Sequence, residues 1–358
     1  MTTRESGHFL FQLLTIFLIF VKKEYMLYQN YSLIPHNTFG LNVATKYFFE
    51  YSSEEELRNF LKSELFQSNS YLHIGAGSNL LFLNDFNGLI LHSNIKGIEI
   101  IDETDDAVVV RVGAGVVWDD FVAYCVKKGF YGAENLSIIP GEVGSSAVQN
   151  IGAYGVEAKD LIFKVEAIEI VSGNKRIFDV SECEYAYRSS IFKHALAGKY
   201  FITYVQYKLS KKESFNLSYG NLNVNIEGEP TLQKVRQTVV SVRESKLPNP
   251  KVLGNAGSYF MNPVVEKSIF DKLYVTYPQM PYYEVGDKYK IPAAWLIDQC
   301  GWKGKSLGNA GVHEKQALVL INKGTATGAD IVHLEQAIIA DVETKFGITL
   351  HPEVILVK

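Results

Sequence analysis

Apolar residues recur along the chain at two spacings, every second position and every third to fourth, and the switches between them mark out elements. Tyr47-Phe-Phe-Glu-Tyr51 reads as a strand. Ser53-Glu-Glu-Glu56 has the spacing of a capping box, and Leu57, Phe60, Leu61 and Leu65 follow it on one helical face. Tyr71-Leu-His-Ile74 is a strand that runs straight into Gly75-Ala-Gly-Ser-Asn79, and residues 80–83 and 89–92 read as two more short strands. The pattern predicts a β-α-β unit with a glycine turn at a strand end.

Residues 98–115 alternate through Ile98, Ile100 and Val108-Val-Val-Arg-Val112, ending at Gly113-Ala-Gly115. Residues 118–128 take helical spacing and stop at Gly129. Residues 137–157 are glycine-rich, strands follow at 162–171 and 200–208 with an irregular stretch between them, and a charged helix is expected at 232–245. Leu247-Pro-Asn-Pro250 is the best domain boundary in the chain. Beyond it lie Gly254-Asn-Ala-Gly-Ser258, a helix at 293–299, a strand at 317–321, a helix at 331–346 stopped by Gly347, and a terminal strand at 353–357.

Composition narrows the function. The 358 residues carry 35 Lys+Arg against 39 Asp+Glu, a balance that argues against a nucleic-acid partner. The 47% hydrophobic fraction excludes bulk disorder. Cys125, Cys183 and Cys300 lie far apart with no CxxC pair, which fits a reducing compartment and not a disulfide scaffold. The histidines form no HxxxH or HExxH pair, which argues against a metal site. The apolar run 9–21 is too short for a bilayer core, which needs about 20 residues, and Lys22 and Lys23 stand where a cleavage site would be. Residues 1–25 are therefore expected to be an upstream extension outside the fold, with a membrane tether as the second reading.

The 28 glycines are the compositional anomaly. They cluster at Gly75/Gly77, at Gly113/Gly115 and at Gly141/Gly144/Gly152/Gly155, where strands meet turns. Such turns bring backbone N–H groups close to a pyrophosphate, so the clusters favour a dinucleotide site. The familiar motifs fit poorly. Gly75-Ala-Gly-Ser-Asn-Leu80 lacks the third glycine of GxGxxG, and no GxxxxGK[ST] occurs.

Ile139-Pro-Gly-Glu-Val-Gly-Ser-Ser-Ala-Val-Gln-Asn-Ile-Gly-Ala-Tyr-Gly155 closely resembles the flavin-binding signature of the UDP-N-acetylenolpyruvoylglucosamine reductases. Further matches stand in the family's order: Asn37-Thr-Phe39, Gly75-Ala-Gly-Ser-Asn79, Tyr187-Arg-Ser-Ser-Ile-Phe-Lys193, Lys246-Leu-Pro, Gly254-Asn-Ala-Gly-Ser-Tyr-Phe260 with Asn262-Pro263, Trp295-Leu-Ile-Asp-Gln299 and His351-Pro-Glu353. The resemblance runs from about residue 28 to the C-terminus and implies an α+β protein of three domains. An FAD-binding part of the vanillyl-alcohol-oxidase type would comprise residues 26–95, completed by 348–358, and residues 96–247. A substrate domain would comprise 248–347.

The resemblance also implies a chemistry: NADPH and non-covalent FAD reduce the enolpyruvyl ether of UDP-N-acetylglucosamine enolpyruvate in peptidoglycan precursor synthesis. A cytoplasmic monomer with no membrane partner is expected. Arg188 looks like the guanidinium that grips the substrate carboxylate, Glu353 like the partner acid at the same enolate, and Ser258 like the proton donor to the developing carbanion. The cofactor residues would be Gly75, Gly77, Ser78, Asn79, Leu80 and Gly113, then Ile139, Pro140, Gly141, Gly144, Ser145, Gln149, Asn150, Gly152, Ala153 and Tyr154, with Tyr187 and Arg243 along the flavin. Tyr219, Lys246, Asn262 and Gln316 match positions that contact the substrate or the nicotinamide cofactor. Glu142 departs from the pattern, because relatives more often carry a small polar residue there and an acid is unfavourable beside a pyrophosphate unless it points away. Two rivals remain at this point. One is an oxidase of the same superfamily with covalently attached flavin, against which the glycine turn lacks a nucleophile and His73 reads as a packed histidine. The other is a flavin-binding scaffold without catalysis.

Overall fold

The computed structural model describes residues 26–218, 222–226 and 228–358. The readings of residues 1–25 and of Tyr219 lie outside the described residues.

The β-α-β unit forms a four-stranded sheet in the order Met26–Ser32, Ala44–Tyr51, Phe86–Ser93, Tyr71–Ile74. The first pair is antiparallel and the other two pairs are parallel. Helix Glu54–Leu61 starts where the capping spacing places it, with Ser53 Oγ accepting from the Glu56 amide at 3.1 Å. It does not continue to Leu65. Ser63 Oγ donates to the Phe60 carbonyl at 2.7 Å and accepts from the Phe66 amide at 3.2 Å, which ends one helix and caps the short turn Glu64–Gln67.

The second sheet is five-stranded and antiparallel: Lys175–Asp179, Ile162–Glu169, Tyr200–Ser210, Ala107–Gly113, Ile98–Glu103. Its edge strand Lys175–Asp179 lies in the stretch expected to be irregular. Four of its five residues are exposed, so it carries almost no apolar signal. Helix Trp118–Lys128 covers this sheet and ends at Gly129, whose φ of 76° is the left-handed value a helix stop requires. The two sheets share a core, in which Phe49, Leu57 and Phe60 pack with Ile168 and Phe201.

Helix Leu232–Lys246 leads to the proline segment. Beyond it, Asn255–Ser258, Val319–Asn322, Ala310–Val312 and Ser306–Leu307 form a third sheet. Helix Gly328–Phe346 buries Ile331, Leu334, Ile338 and Val342 beside it, as the apolar spacing predicts. A small sheet of Val264–Glu266, Lys288–Lys290 and Tyr283–Val285 flanks this unit. The terminal strand Ile355–Val357 returns to pair in parallel with Leu80–Phe82. Phe39, Leu41 and Leu81 from the first unit are built into the C-terminal core, so three stretches of chain far apart in sequence converge near residue 80.

Candidate active site

A cavity of about 530 Å³ opens where these units meet, within the usual range for ligand sites. The turn after Tyr71–Ile74 forms one wall. Gly77 has φ of 65°, and a Cβ there would fall 1.8 Å from the His36 carbonyl oxygen, so only glycine lets the turn pass under residue 36. Ser78 Oγ donates to the Pro140 carbonyl at 3.1 Å and ties this turn to the glycine-rich segment. Gly75, Ser78, Asn79 and Leu80 from the first turn, and Ile139, Pro140, Gly144, Ser145, Gln149 and Gly152 from the second, all face the cavity together with Gly77.

Asn37-Thr-Phe39 acts as the joint with the C-terminal unit. The Asn37 side chain closes its own loop on the Leu33 and Leu41 carbonyls and the Leu41 amide. The Thr38 carbonyl accepts from the Asn255 amide at 2.9 Å. A Cβ at Gly254 would fall 2.1 Å from the Phe39 carbonyl oxygen. The motif thus sets the Gly254-Asn-Ala-Gly-Ser258 strand against the cofactor turns, and Ser258, at its end, is exposed to the cavity.

Arg188 stands in a tight turn closed by the Ala186–Ser189 pairing, with φ of 53°, a left-handed value that costs a non-glycine residue about 1 kcal/mol or more. Its Nε donates to Glu353 Oε1 at 3.1 Å, and its Nη2 and Nη1 donate to the Gly152 and Asn150 carbonyls at 2.8 and 3.3 Å. The fork is fixed against the glycine-rich segment. Glu353 is fixed by its backbone, since its amide donates to the Tyr259 carbonyl at 2.8 Å and its carbonyl accepts from Asn79 Nδ2 at 3.1 Å. Tyr259 follows Ser258 directly, so one backbone bond couples the two candidate proton-handling residues. Burial raises the Glu353 pKa above the usual carboxylate range, opposed by the Arg188 and Lys193 charges. Lys193 Nζ donates to Gln149 Oε1 and to the Arg188 carbonyl, both at 2.9 Å. The sequence reading missed this bracing role, although Lys193 lies inside the quoted YRSSIFK motif.

Several expected residues do not face the cavity. Gly113 is a packing glycine, because a Cβ would fall 2.3 Å from the Ile95 carbonyl oxygen; its neighbour Ala114 faces the cavity instead. Gly141 sits behind the wall, 3.3 Å from Ser78 Oγ and Ser145 Oγ by the same measure. Asn150 is buried and spends its side chain on Glu157, the Ala186 carbonyl and the Lys159 amide. Ala153 and Tyr154 lie outside the cavity, with the Tyr154 carbonyl accepting from Asn135. Asn262 faces it while its Oδ1 accepts from the Ala293 amide. Lys246 is exposed beside the cavity-lining Leu247, and Gln316 stands two residues from the lining Leu318. Tyr187 faces the cavity, with the Arg188 and Lys290 charges over its ring.

His73 also faces the cavity, but it bonds Tyr51 Oη through Nε2 at 2.8 Å, and burial lowers its pKa to about 3. It is a neutral packed histidine, as expected. Glu142 bonds His92 Nε2 through Oε1 at 3.0 Å, so the acid is paired although its carboxylate still borders the cavity beside Gly75. No group of His, Cys, Asp or Glu is placed to hold a metal ion among the described residues.

The cavity fits an anionic dinucleotide such as FAD. Arg243 reaches it with a buried Nε that has no partner, and Thr38 Oγ1 is likewise buried, cavity-facing and unpartnered. Burial lowers the Arg243 pKa, with Arg188 as a like-charged neighbour and Tyr154 and Asp119 opposing, so an incoming anion would relieve an uncompensated cation.

Residues 45–181 match the family model of an FAD binding domain, and residues 249–357 match that of the UDP-N-acetylenolpyruvoylglucosamine reductase C-terminal domain. The UDP-N-acetylenolpyruvoylglucosamine reductase of Bacteroides fragilis strain YCH46 is 58% identical over 329 residues, 91% of this chain and 98% of that protein. The chain belongs to the UDP-N-acetylenolpyruvoylglucosamine reductase family. The reductase of Porphyromonas gingivalis strain W83 is 50% identical over 330 residues, again 91% of this chain and 98% of its own. The solved reductase of Thermus caldophilus superposes with a TM-score of 0.66 over 94% of this chain and 99% of its own, at 20% identity, so the fold persists where most side chains have changed. The α+β fold implied by the sequence motifs, an FAD-binding part followed by the family's C-terminal domain, is the one found.

Proposed function

We propose that this reductase uses NADPH to reduce the enolpyruvyl ether of UDP-N-acetylglucosamine enolpyruvate to the lactyl ether of UDP-N-acetylmuramate, with Arg188, Glu353 and Ser258 as its reacting groups. The observation that carries the assignment is the Arg188–Glu353 pair, held at 3.1 Å in the cavity that Ser258 also faces.

FAD, held by the Gly75 turn and the 139–152 segment, would supply the hydride chemistry between NADPH and the enolpyruvyl ether. The protein's own part is electrostatic and protonic. Arg188 offers a planar fork, pre-aimed by two backbone carbonyls, to the substrate carboxylate on which negative charge builds. Glu353, with its pKa raised by burial, can retain a proton and donate a hydrogen bond to the enolate oxygens rather than repel them. Ser258 delivers the proton to the adjacent carbon. A serine is a weak acid, and it is suited to this only because its strand is locked by backbone bonds between Asn255 and Thr38 and between Tyr259 and both Leu318 and Glu353. Asn79, whose amide grips the Glu353 carbonyl, links the cofactor turn to the acid.

In this reading the two FAD-binding domains are 26–95 with 348–358, and 96–247, and the substrate domain is 248–347. The pairing of Ile355–Val357 with Leu80–Phe82 supports returning the C-terminus to the first domain. Asn262 would face the substrate within the cavity, Lys246 and Gln316 would meet its UDP part or the nicotinamide cofactor at the rim, and Tyr219 would contact the substrate. The free thiols of Cys125, Cys183 and Cys300 support a cytoplasmic site of action, and we take the enzyme to act as a monomer. No helix among the described residues is long and apolar enough to cross a membrane. Stopped-flow separation of the two half-reactions tests the residue roles. Arg188→Lys, Glu353→Gln and Ser258→Ala should each spare flavin reduction by NADPH and slow reoxidation by the enolpyruvyl substrate.

A further inference from the structure

Behind the Gly75 turn lies a cluster that the reaction does not use. Glu50 and His92 are directly paired residues of adjacent parallel strands. His92 Nδ1 lies 2.9 Å from Glu50 Oε2, and His92 Nε2 lies 3.0 Å from Glu142 Oε1. Carboxylates only accept, so an imidazole bonded to one at each ring nitrogen carries both protons. His92 and Glu142 are buried, and Glu50 is half-buried. The Glu142 carboxylate nevertheless borders the cofactor site: it lines the cavity, and its Oε2 would be 3.1 Å from a Cβ on Gly75.

We propose that Glu50, His92 and Glu142 form a charge-compensating relay that positions the FAD cradle, in which the His92 imidazolium cancels the carboxylate that Glu142 presents beside the Gly75 turn. The inference rests on FAD being the occupant of the cavity. With His92 charged, the three groups sum to one negative charge; with His92 neutral, they sum to two, beside a cofactor that brings its own pyrophosphate anion. Retention of FAD is therefore coupled to the proton on His92.

The surroundings hold that proton in place. Burial opposes the charge on His92, but its bonds to Glu142 and Glu50 outweigh it and raise the pKa to about 9. Edge-on to it at 4.8 Å is His36, which burial and the His92 charge lower to about 4, so it stays neutral. His73, on the other neighbouring strand, is neutral as well, and its partner Tyr51 is a buried phenol. Lys96 acts on Glu50 from the following loop while its Nζ donates to the Gly115 carbonyl, and Asn94 Nδ2 donates to Glu50 Oε1 at 3.2 Å. Among the described residues, His92 is the group of this cluster positioned to titrate in the mildly alkaline range.

The test is FAD release from the holoprotein, read by flavin fluorescence on dilution between pH 7 and pH 10, for the wild type, His92→Gln, Glu142→Gln and the double variant. The wild type should hold FAD at pH 7 and loosen by up to about tenfold in all as His92 titrates, around and above about pH 9. His92→Gln should bind about tenfold more weakly at pH 7 and lose that limb. The double variant should return most of the way to wild type, because the cluster again sums to one negative charge, that of Glu50, and none stands beside the Gly75 turn. An equal penalty for His92→Gln with and without Glu142, or a wild-type profile parallel to that of His92→Gln, overturns the proposal. A wild-type chain that holds no FAD at pH 7 overturns the cofactor reading itself, and is seen without any variant. Far-UV circular dichroism of each apoprotein separates misfolding from lost affinity, and rescue in the double variant does so independently.

Discussion

Arg188 and Glu353 stand 165 residues apart in the chain, and Nε of the one donates to Oε1 of the other at 3.1 Å. Two separate returns of the chain make this contact. The left-handed turn at Arg188 aims its fork at the glycine-rich segment, and the last strand brings Glu353 back beside Asn79. Both ends are anchored through backbone atoms, so the geometry is set before substrate arrives.

Arg188→Lys keeps the charge and loses the fork. The lysine cannot hold the Gly152 and Asn150 carbonyls and present a bidentate face at once. The expected outcome is flavin reduction by NADPH within a few-fold of wild type and reoxidation by substrate slowed about a hundredfold. Equal slowing of both half-reactions would remove Arg188 from the substrate step.

Ser258→Ala should behave alike for a different reason. The strand is held by backbone bonds, so it should persist in the variant while the proton source is lost. Reoxidation should slow by about a hundredfold or more, with the melting temperature changed little. Both readouts come from one preparation by stopped-flow absorbance and calorimetry.

Gly77→Ala tests the cradle. A methyl group there meets the His36 carbonyl at 1.8 Å on a backbone at φ of 65°, and neither atom belongs to a flexible side chain. The turn has to move by more than a bond length. The expected result is a protein purified with little flavin, measured as the ratio of flavin to protein absorbance.

Acid should attack a charge cluster across the five-stranded sheet. Burial alone would raise the Glu166 pKa, but Arg111, Lys175 and Gln206 outweigh it and lower the value to about 2 from an ordinary 4.5. A carboxylate depressed in the folded state stabilises fully above its unfolded pKa, and that share is lost as pH falls from about 4.5 toward 2. Glu166→Gln should destabilise the protein at pH 7 by about 2–3 kcal/mol, less than a fully enclosed pair, because Arg111 and Lys175 remain partly solvated. The variant should also lose stability less steeply than wild type below pH 4.5, as urea unfolding across that range would show.

The elements with strong spacing were legible in the chain: helix Trp118–Lys128 ends at Gly129, and the Gly75 turn follows its strand. What escaped was carried by distant partners. Gly113 sits in a glycine cluster like the others, and only the fold shows that its α-carbon faces Ile95 and not the cavity. Glu142 reads as an anomaly in one dimension, because His92, which compensates it, lies 50 residues upstream on another strand. Strand Lys175–Asp179 escaped because an exposed edge strand needs few apolar residues. The helix over 54–65 broke at Ser63, whose hydroxyl competes locally for the backbone. Lys193 was readable as a member of a motif but not as a brace, since its acceptors are Gln149 and a backbone carbonyl.

The central claim is that the cavity joins a flavin to an enolpyruvyl UDP-sugar through Arg188, Glu353 and Ser258. The most direct measurement is NADPH consumption by the purified flavoprotein with and without UDP-N-acetylglucosamine enolpyruvate. The account predicts steady oxidation of NADPH only when that substrate is present. Rapid oxidation with oxygen as the sole acceptor, indifferent to the UDP-sugar, would contradict it.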